Sequence, residues 1–314
     1  MATTVASIIP YKAPDYPFDF RDAADIARHR EALQETRVLA LRDKLTEGLR
    51  FTFDLKIPAS NPDSQSRPLP SVPRNPHDST TARVSLRLDR QLQPGLDMYS
   101  QVWTGLLDSP HGPATNDSDT CFVLKIIQAS ICMLPPGEDD EKWSLSPYQN
   151  PANLAHREAW VYENLTQRQG LSIPYFFGLH TIVTPSMEQA WVLIFEYING
   201  QTLAEYQTAP GHSFEDTCDI LKIALTAISD LVSCRFMHGD TGGTNFLICG
   251  LPGARSVVFI DFFSALLVDP QEVERVRDVA TWEFNGTFIG HVEIDYRVAV
   301  FNWVKANLPA RVWS

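Results

Sequence analysis

No C-x-x-C pair occurs in the chain, and its five cysteines, Cys121, Cys132, Cys218, Cys234 and Cys249, are scattered singly. That spacing builds neither a zinc site nor a disulfide framework, so the five read as reduced, mostly buried thiols. Basic residues are scarce: 26 Lys and Arg stand against 38 Asp and Glu, a formal net charge of -12. A chain of that sign argues against nucleic acid or an anionic membrane as the main partner. Long apolar runs are missing as well. The start, "MATTVASIIPYKAPDYPF", has no basic region leading into an apolar core, and the longest apolar run, near Val257 to Val268, is broken by Asp261. It is too short to span a bilayer. A soluble, cytoplasmic protein with no membrane partner is the expectation.

What is present is material for a large core. With 314 residues, 44% of them hydrophobic, the chain can form one large domain or two lobes. Over Arg21 to Gly48, Ile26, Leu33, Val38, Leu41 and Leu45 recur at roughly helical spacing among charges, which predicts an amphipathic helix. The stretch Ile57 to Thr81 carries six prolines and many serines. Prolines at that density neither continue a helix nor donate to a sheet ladder, so residues 1–80 read as a helical extension with a Pro/Ser-rich linker.

After Thr81 the period falls to two. "ARVSLRLDR" alternates Val84, Leu86 and Leu88 with polar residues, and "QVWTGLL" and "CFVLKII" follow as further strands. Leu134 to Asn150 is proline-rich and acidic, a loop; Asn150 and Pro151 then supply an N-cap and a first-turn proline for a helix ended by Gly170. Two more strands, "IPYFFGLHTIV" and "AWVLIFEYI", precede a helical region. There Ser213 and Asp216 open a helix whose apolar stripe runs from Ile220 to Val232. The order predicts a β-rich unit over 81–197 and a helical one over 198–314, with no internal repeat.

Chemistry concentrates in two places. "FMHGDTGGTNFLI" sets His238, Asp240 and Asn245 between apolar residues, and "SVVFIDFFSA" ends a buried-type strand on Asp261. Three oxygen-bearing side chains that converge at a loop and a strand end suit a hard cation and a general base. Taken singly, each has an ordinary explanation: Asp240 and Asn245 as turn residues, His238 as a satisfied buried histidine. Lys125 changes the balance. It interrupts an apolar strand, and Glu158 on the following helix can look back at it, an arrangement that orients nucleotide phosphates.

Over about Arg83 to Ala265 the sequence resembles the protein-kinase-like superfamily. "FVLK" resembles the strand-three V-A-I-K, "REAWVYENL" the C-helix, "IFEYINGQTL" the inter-lobe hinge, "HGDTGGTN" the catalytic loop H-x-D-x-x-x-x-N, and "IDFFSA" the D-F-G segment. H-G-D in place of H-R-D is similar to aminoglycoside and choline phosphotransferases and to kinase-like families expanded in fungi. The resemblance implies an α+β, two-lobed protein kinase-like fold, with a five-stranded antiparallel N-lobe sheet, a C-helix and a small, mainly helical C-lobe. It also implies an ATP- and Mg²⁺-dependent phosphotransferase acting on a hydroxyl acceptor, either protein Ser/Thr or a small molecule. Lys125 would hold the α- and β-phosphates and Glu158 would pair it. Glu196 and Tyr197 would flank the nucleotide, Asp240 would be the base, and Asn245 and Asp261 would hold magnesium.

The chain departs from the pattern in five ways. No G-x-G-x-x-G precedes Lys125; "PGLDMYSQVWTG" offers only Gly95 and Gly105 around Ser100 and Val102. Phe263 replaces the D-F-G glycine, Gly239 replaces the arginine that pairs a phosphorylated loop, and no lysine stands two residues after Asp240. There is also no A-P-E. A nucleotide-binding pseudokinase acting as a scaffold, and a fold relative with neither activity, stay open beside the active enzyme.

Overall fold

The computed structural model describes residues 11–14, 22–63, 65–73, 78–108, 121–135, 150–208, 213–292 and 294–307. Most of the acidic loop expected before Asn150 lies outside the described residues. The first helix, α1 (Ala23–Arg42), begins where Asp22 accepts the N–H groups of Ala24 and Asp25. Its buried seam is Ile26, Leu33 and Ala40, spaced by sevens, whereas Val38 and Leu41 are 69% and 48% exposed. The helical spacing was legible, but the two residues assigned to its inner face lie on its outer one.

Among the described residues, eleven strands follow the order β1 (Arg50–Lys56), β2 (Thr81–Gln93), β3 (Gln101–Leu107), β4 (Cys121–Ile127), β5 (Phe176–Val183), β6 (Gln189–Glu196), β7 (Gln201–Thr202), β8 (Phe236–Met237), β9 (Phe246–Cys249), β10 (Ser256–Phe259) and β11 (Leu266–Leu267). Helices α2 (Pro151–Asn164), α3 (Leu203–Thr208), α4 (Phe214–Ser233), α5 (Val273–His291) and α6 (Ile294–Asn307) are set among and after them. Among the described residues, no helix is long and apolar enough to cross a membrane.

The first six strands form one antiparallel sheet in the order β1-β2-β3-β4-β6-β5. Its two edge strands approach each other, with the Phe53 and His180 rings 5.4 Å apart, so the sheet is nearly closed and barrel-like. This overturns the expected fold class, the two-lobed kinase-like fold with a five-stranded N-lobe sheet, a C-helix and a mainly helical C-lobe. The sheet has six strands because Arg50–Lys56 joins it, burying Phe53 and Leu55 on alternate positions in register with Val84 and Ala82. Beyond Glu196 the chain is not mainly helical either. A three-stranded sheet, β10-β9-β7, and a two-stranded one, β11-β8, are interleaved with the helices.

Strand β4 shows how the period of two divides the interior. Phe122, Leu124 and Ile126 point into the barrel, against Leu86, Trp103, Val192 and Ile194. Ile127 points the other way, into a second core built by α2, α4, α5 and α6 with Phe246, Phe259 and Phe262, and Val123 packs against that core. Lys125 lies on this second face. The lysine is thus aimed away from the barrel and toward α2.

Candidate active site

Lys125 is 7% exposed, and its ammonium lies 2.6 Å from Glu158 Oε2 and 2.5 Å from Asp261 Oδ1. Glu158 is reached because α2 turns one buried stripe, Leu154, Ala155, Glu158, Val161 and Tyr162, inward. Asp261 is reached because the chain leaves β10 in the left-handed region, at φ 67°, and enters a short 3₁₀ turn, Phe262–Ser264. A non-glycine residue holds that conformation only where its surroundings fix it. Here the anchor is Phe262, fully buried, 5.2 Å from the Tyr162 ring and 4.5 Å from His238.

Two carboxylates share one ammonium, and the electrostatics follow from that count. Burial pulls the Lys125 pKa down, but Asp261 and Glu158 outweigh it and hold the amine above its ordinary value. Burial pushes the Glu158 carboxyl up to about 7 against the pull of Lys125, with Asp261 adding to the rise. Glu158 Oε1 is buried without a hydrogen-bond partner. Two carboxyls face one ammonium, and Glu158, raised to about 7, can hold a proton of its own.

The loop from His238 to Asn245 forms the second half. His238 is buried, and its Nδ1 accepts the Asp240 N–H at 3.4 Å, which leaves Nε2 to donate to Ile260 O at 2.9 Å. Burial lowers its pKa, so the ring is neutral and ties the loop to the end of β10. Gly239 has φ +77°, and a Cβ there would stand 2.2 Å from Ser264 O. This explains H-G-D: any side chain would collide with the backbone of the turn that carries Phe263. Neither Gly242 nor Gly243, further along the loop, has a positive φ. Gly242 instead donates its N–H to Asp240 Oδ1 at 3.2 Å, leaving the second carboxylate oxygen uncommitted among the described residues. Asn245 Nδ2 donates to Asp240 O at 3.2 Å, and Thr244 donates to Asn245 Oδ1 at 3.4 Å.

A cleft of about 610 Å³ joins the two halves. Lys125, Glu158, Asn245 and Asp261 line it, with Val102, Val123, Phe195 and Leu247 as apolar walls and Glu196 and Tyr197 at one end. Asp240 lies outside the lining and is half-buried. Of the seven residues singled out from sequence, Glu196 differs in use: Arg67 grips its carboxylate, and the Tyr175 N–H donates to it. Arg67 escaped the sequence reading because nothing in a Pro/Ser-rich stretch marks a long-range partner. The apolar walls had one signal, Val123 standing two residues before Lys125 on the same strand face.

Among the described residues, no three His, Cys, Asp or Glu side chains cluster as a metal cage. Magnesium on a nucleotide does not need one, since it takes one or two carboxylates and fills its shell with phosphate oxygens and water. The oxygens of Asn245 and Asp261, both on the cleft, are of the type that ion takes. No protein-family model matches the chain, and a search of the curated proteins found no match.

Proposed function

We propose that the cleft binds ATP with magnesium and transfers the γ-phosphate to a hydroxyl acceptor. One observation carries the reading: a buried lysine held between two carboxylates at 2.6 and 2.5 Å, on a cleft whose other wall presents an asparagine. Two carboxyls converge on one buried ammonium beside a cavity of nucleotide size. In this reading the apolar walls take the base, and Lys125, oriented by Glu158, holds the α- and β-phosphates. Asn245 and Asp261 would hold magnesium, which supplies charge neutralisation to the phosphates when bound. Asp240 receives the proton of the acceptor hydroxyl as its oxygen bonds to the γ-phosphorus and the bond to the β-phosphate oxygen breaks, releasing ADP. The acidic chain favours a cationic acceptor, protein or small molecule.

A titration of the full chain with ATP, with and without magnesium, followed by assay of ADP release, tests the proposal. Magnesium-dependent binding with turnover that falls on the order of 10²-fold or more in Asp240→Asn supports it. Full turnover in Asp240→Asn overturns the base assignment, and no magnesium-dependent binding overturns the whole reading. The direct Lys125–Asp261 contact favours one second reading, a nucleotide-binding scaffold, because it occupies both groups with each other. Binding without transfer is its signature.

A further inference from the structure

Among the described residues that line the cleft, the cations are Lys125 and Arg90. Lys125 is held by two carboxylates, whereas the Arg90 side chain is exposed and makes no ion pair or hydrogen bond with any described residue. Regular strand alternation would not have put it there. On β2, Val84, Leu86 and Leu88 pack into the barrel at every second position, and a continued period would bury Arg90 behind them. A bulge intervenes. Leu88 pairs with Gly105 and Gln91 with Trp103, so Asp89 and Arg90 together face the single residue Thr104. The buried Thr104 hydroxyl holds the bulge by accepting the Arg90 N–H at 2.9 Å. Arg90 is thereby turned onto the face of the sheet that carries Val102, Val123 and Lys125 to the cleft.

The register sorts that face into two rows across the strands. Lys125, Val102 and Gln93 stand in one. Val123, Thr104 and Arg90 stand in the next, two residues along each strand and so about 7 Å away. The first row carries the lysine assigned to the phosphates, and the second carries Val123, a wall for the base. Arg90 therefore belongs to the base end. An unpaired guanidinium beside a flat aromatic ligand offers its own plane, which stacks on ring faces. We infer that Arg90 is a nucleobase-binding residue: its guanidinium stacks on the face of the base and extends the wall of Val102 and Val123 by one strand. The inference rests on the phosphotransferase reading above and adds a contact to it.

Calorimetric titration of the full chain with Mg–ATP, wild type beside Arg90→Ala, Arg90→Lys and Arg90→Tyr, tests it. A stacked plane and a bare charge make opposite demands: lysine keeps the charge without the plane, and tyrosine keeps a plane without the charge. Arg90→Ala and Arg90→Lys are expected to weaken Mg–ATP binding about 5-fold, the scale of a cation–π contact. Arg90→Tyr is expected to stay within about 2-fold of wild type, because bases also stack on aromatic rings. Wild-type affinity in Arg90→Lys overturns the inference, since the contact would then be with a phosphate charge. Wild-type affinity in Arg90→Ala, or an Arg90→Tyr as weak as Arg90→Ala, also overturns it. Each of these outcomes leaves the phosphotransferase reading standing. Failure of wild type to bind Mg–ATP at all overturns that reading, and this inference with it.

Discussion

Arg67 grips Glu196 through two parallel bonds, Nε to Oε1 at 2.8 Å and Nη2 to Oε2 at 3.0 Å, and donates two more to the carbonyls of Leu171 and Ile173. One side chain from the proline-rich stretch therefore fastens the end of β6 to the start of β5. Arg67→Ala leaves the Glu196 carboxylate buried with only the Tyr175 N–H, and a loss of about 3 kcal/mol is expected, the low end for a broken buried pair because Arg67 keeps some water contact. Urea unfolding of the two proteins measures it. Deletion of residues 1–80, which removes Arg67 and β1 together, is expected to give an insoluble chain.

Lys125→Met removes the one cation from between two carboxylates. On the phosphotransferase reading the expected outcome is loss of phosphoryl transfer, together with about 1–3 kcal/mol of stability for polar groups left unpaired, because without the ammonium the Glu158 carboxyl, already raised to about 7, takes up a proton. The double variant Lys125→Met/Glu158→Gln should melt close to Lys125→Met at pH 7, since a protonated carboxyl and an amide are alike there. Thermal melts of the four proteins close the cycle; equal melts throughout would show Lys125 to be energetically idle.

Gly239→Ala tests the reason for H-G-D. Its Cβ would lie 2.2 Å from Ser264 O at a φ of +77°, so the loop or the 3₁₀ turn must move. A destabilisation of about 2 kcal/mol or more is expected, from left-handed strain plus the clash. A neutral alanine would mean that the two segments part freely.

His238 predicts an acid-side weakness. Burial lowers its pKa below the ordinary 6.5, so the folded protein resists a proton that the unfolded chain accepts. The stability it contributes is fully present above pH 6.5 and is lost as pH falls through the depressed value. Urea midpoints at pH 7.5, 6.5 and 5.5 should decline, and His238→Gln, which cannot titrate, should decline less. Identical slopes in both proteins would place the titrating group elsewhere.

Most of the site was readable because its residues break local patterns. Lys125 interrupts an apolar strand, Asp261 ends one, and the Asp240–Asn245 loop sits where periodic signals stop. The fold was less so. "RFTFDLK" alternates Phe51, Phe53 and Leu55 and held a usable strand signal, yet the prolines after Ile57 looked like a boundary. Proline density reports what a segment cannot pair with in the sheet; it is silent on what lies on either side. Arg67 pairs with Glu196, and Tyr99 packs on Phe263, across long stretches of chain, and no periodicity encodes such pairs.

The near-meeting of β1 and β5 also shapes how the molecule assembles. Phe53 and His180 belong to distant parts of the chain, and the contact between them forms only after β2, β3, β4 and β6 have been laid down between the two edges. Closure of that kind is non-local and slow. Until it is complete, two strand edges with unpaired N–H and C=O groups face the solvent, open to pairing with another chain. In the folded protein β1 and β5 face each other without backbone pairing, so it is their approach and the Phe53–His180 contact that cover the two edges.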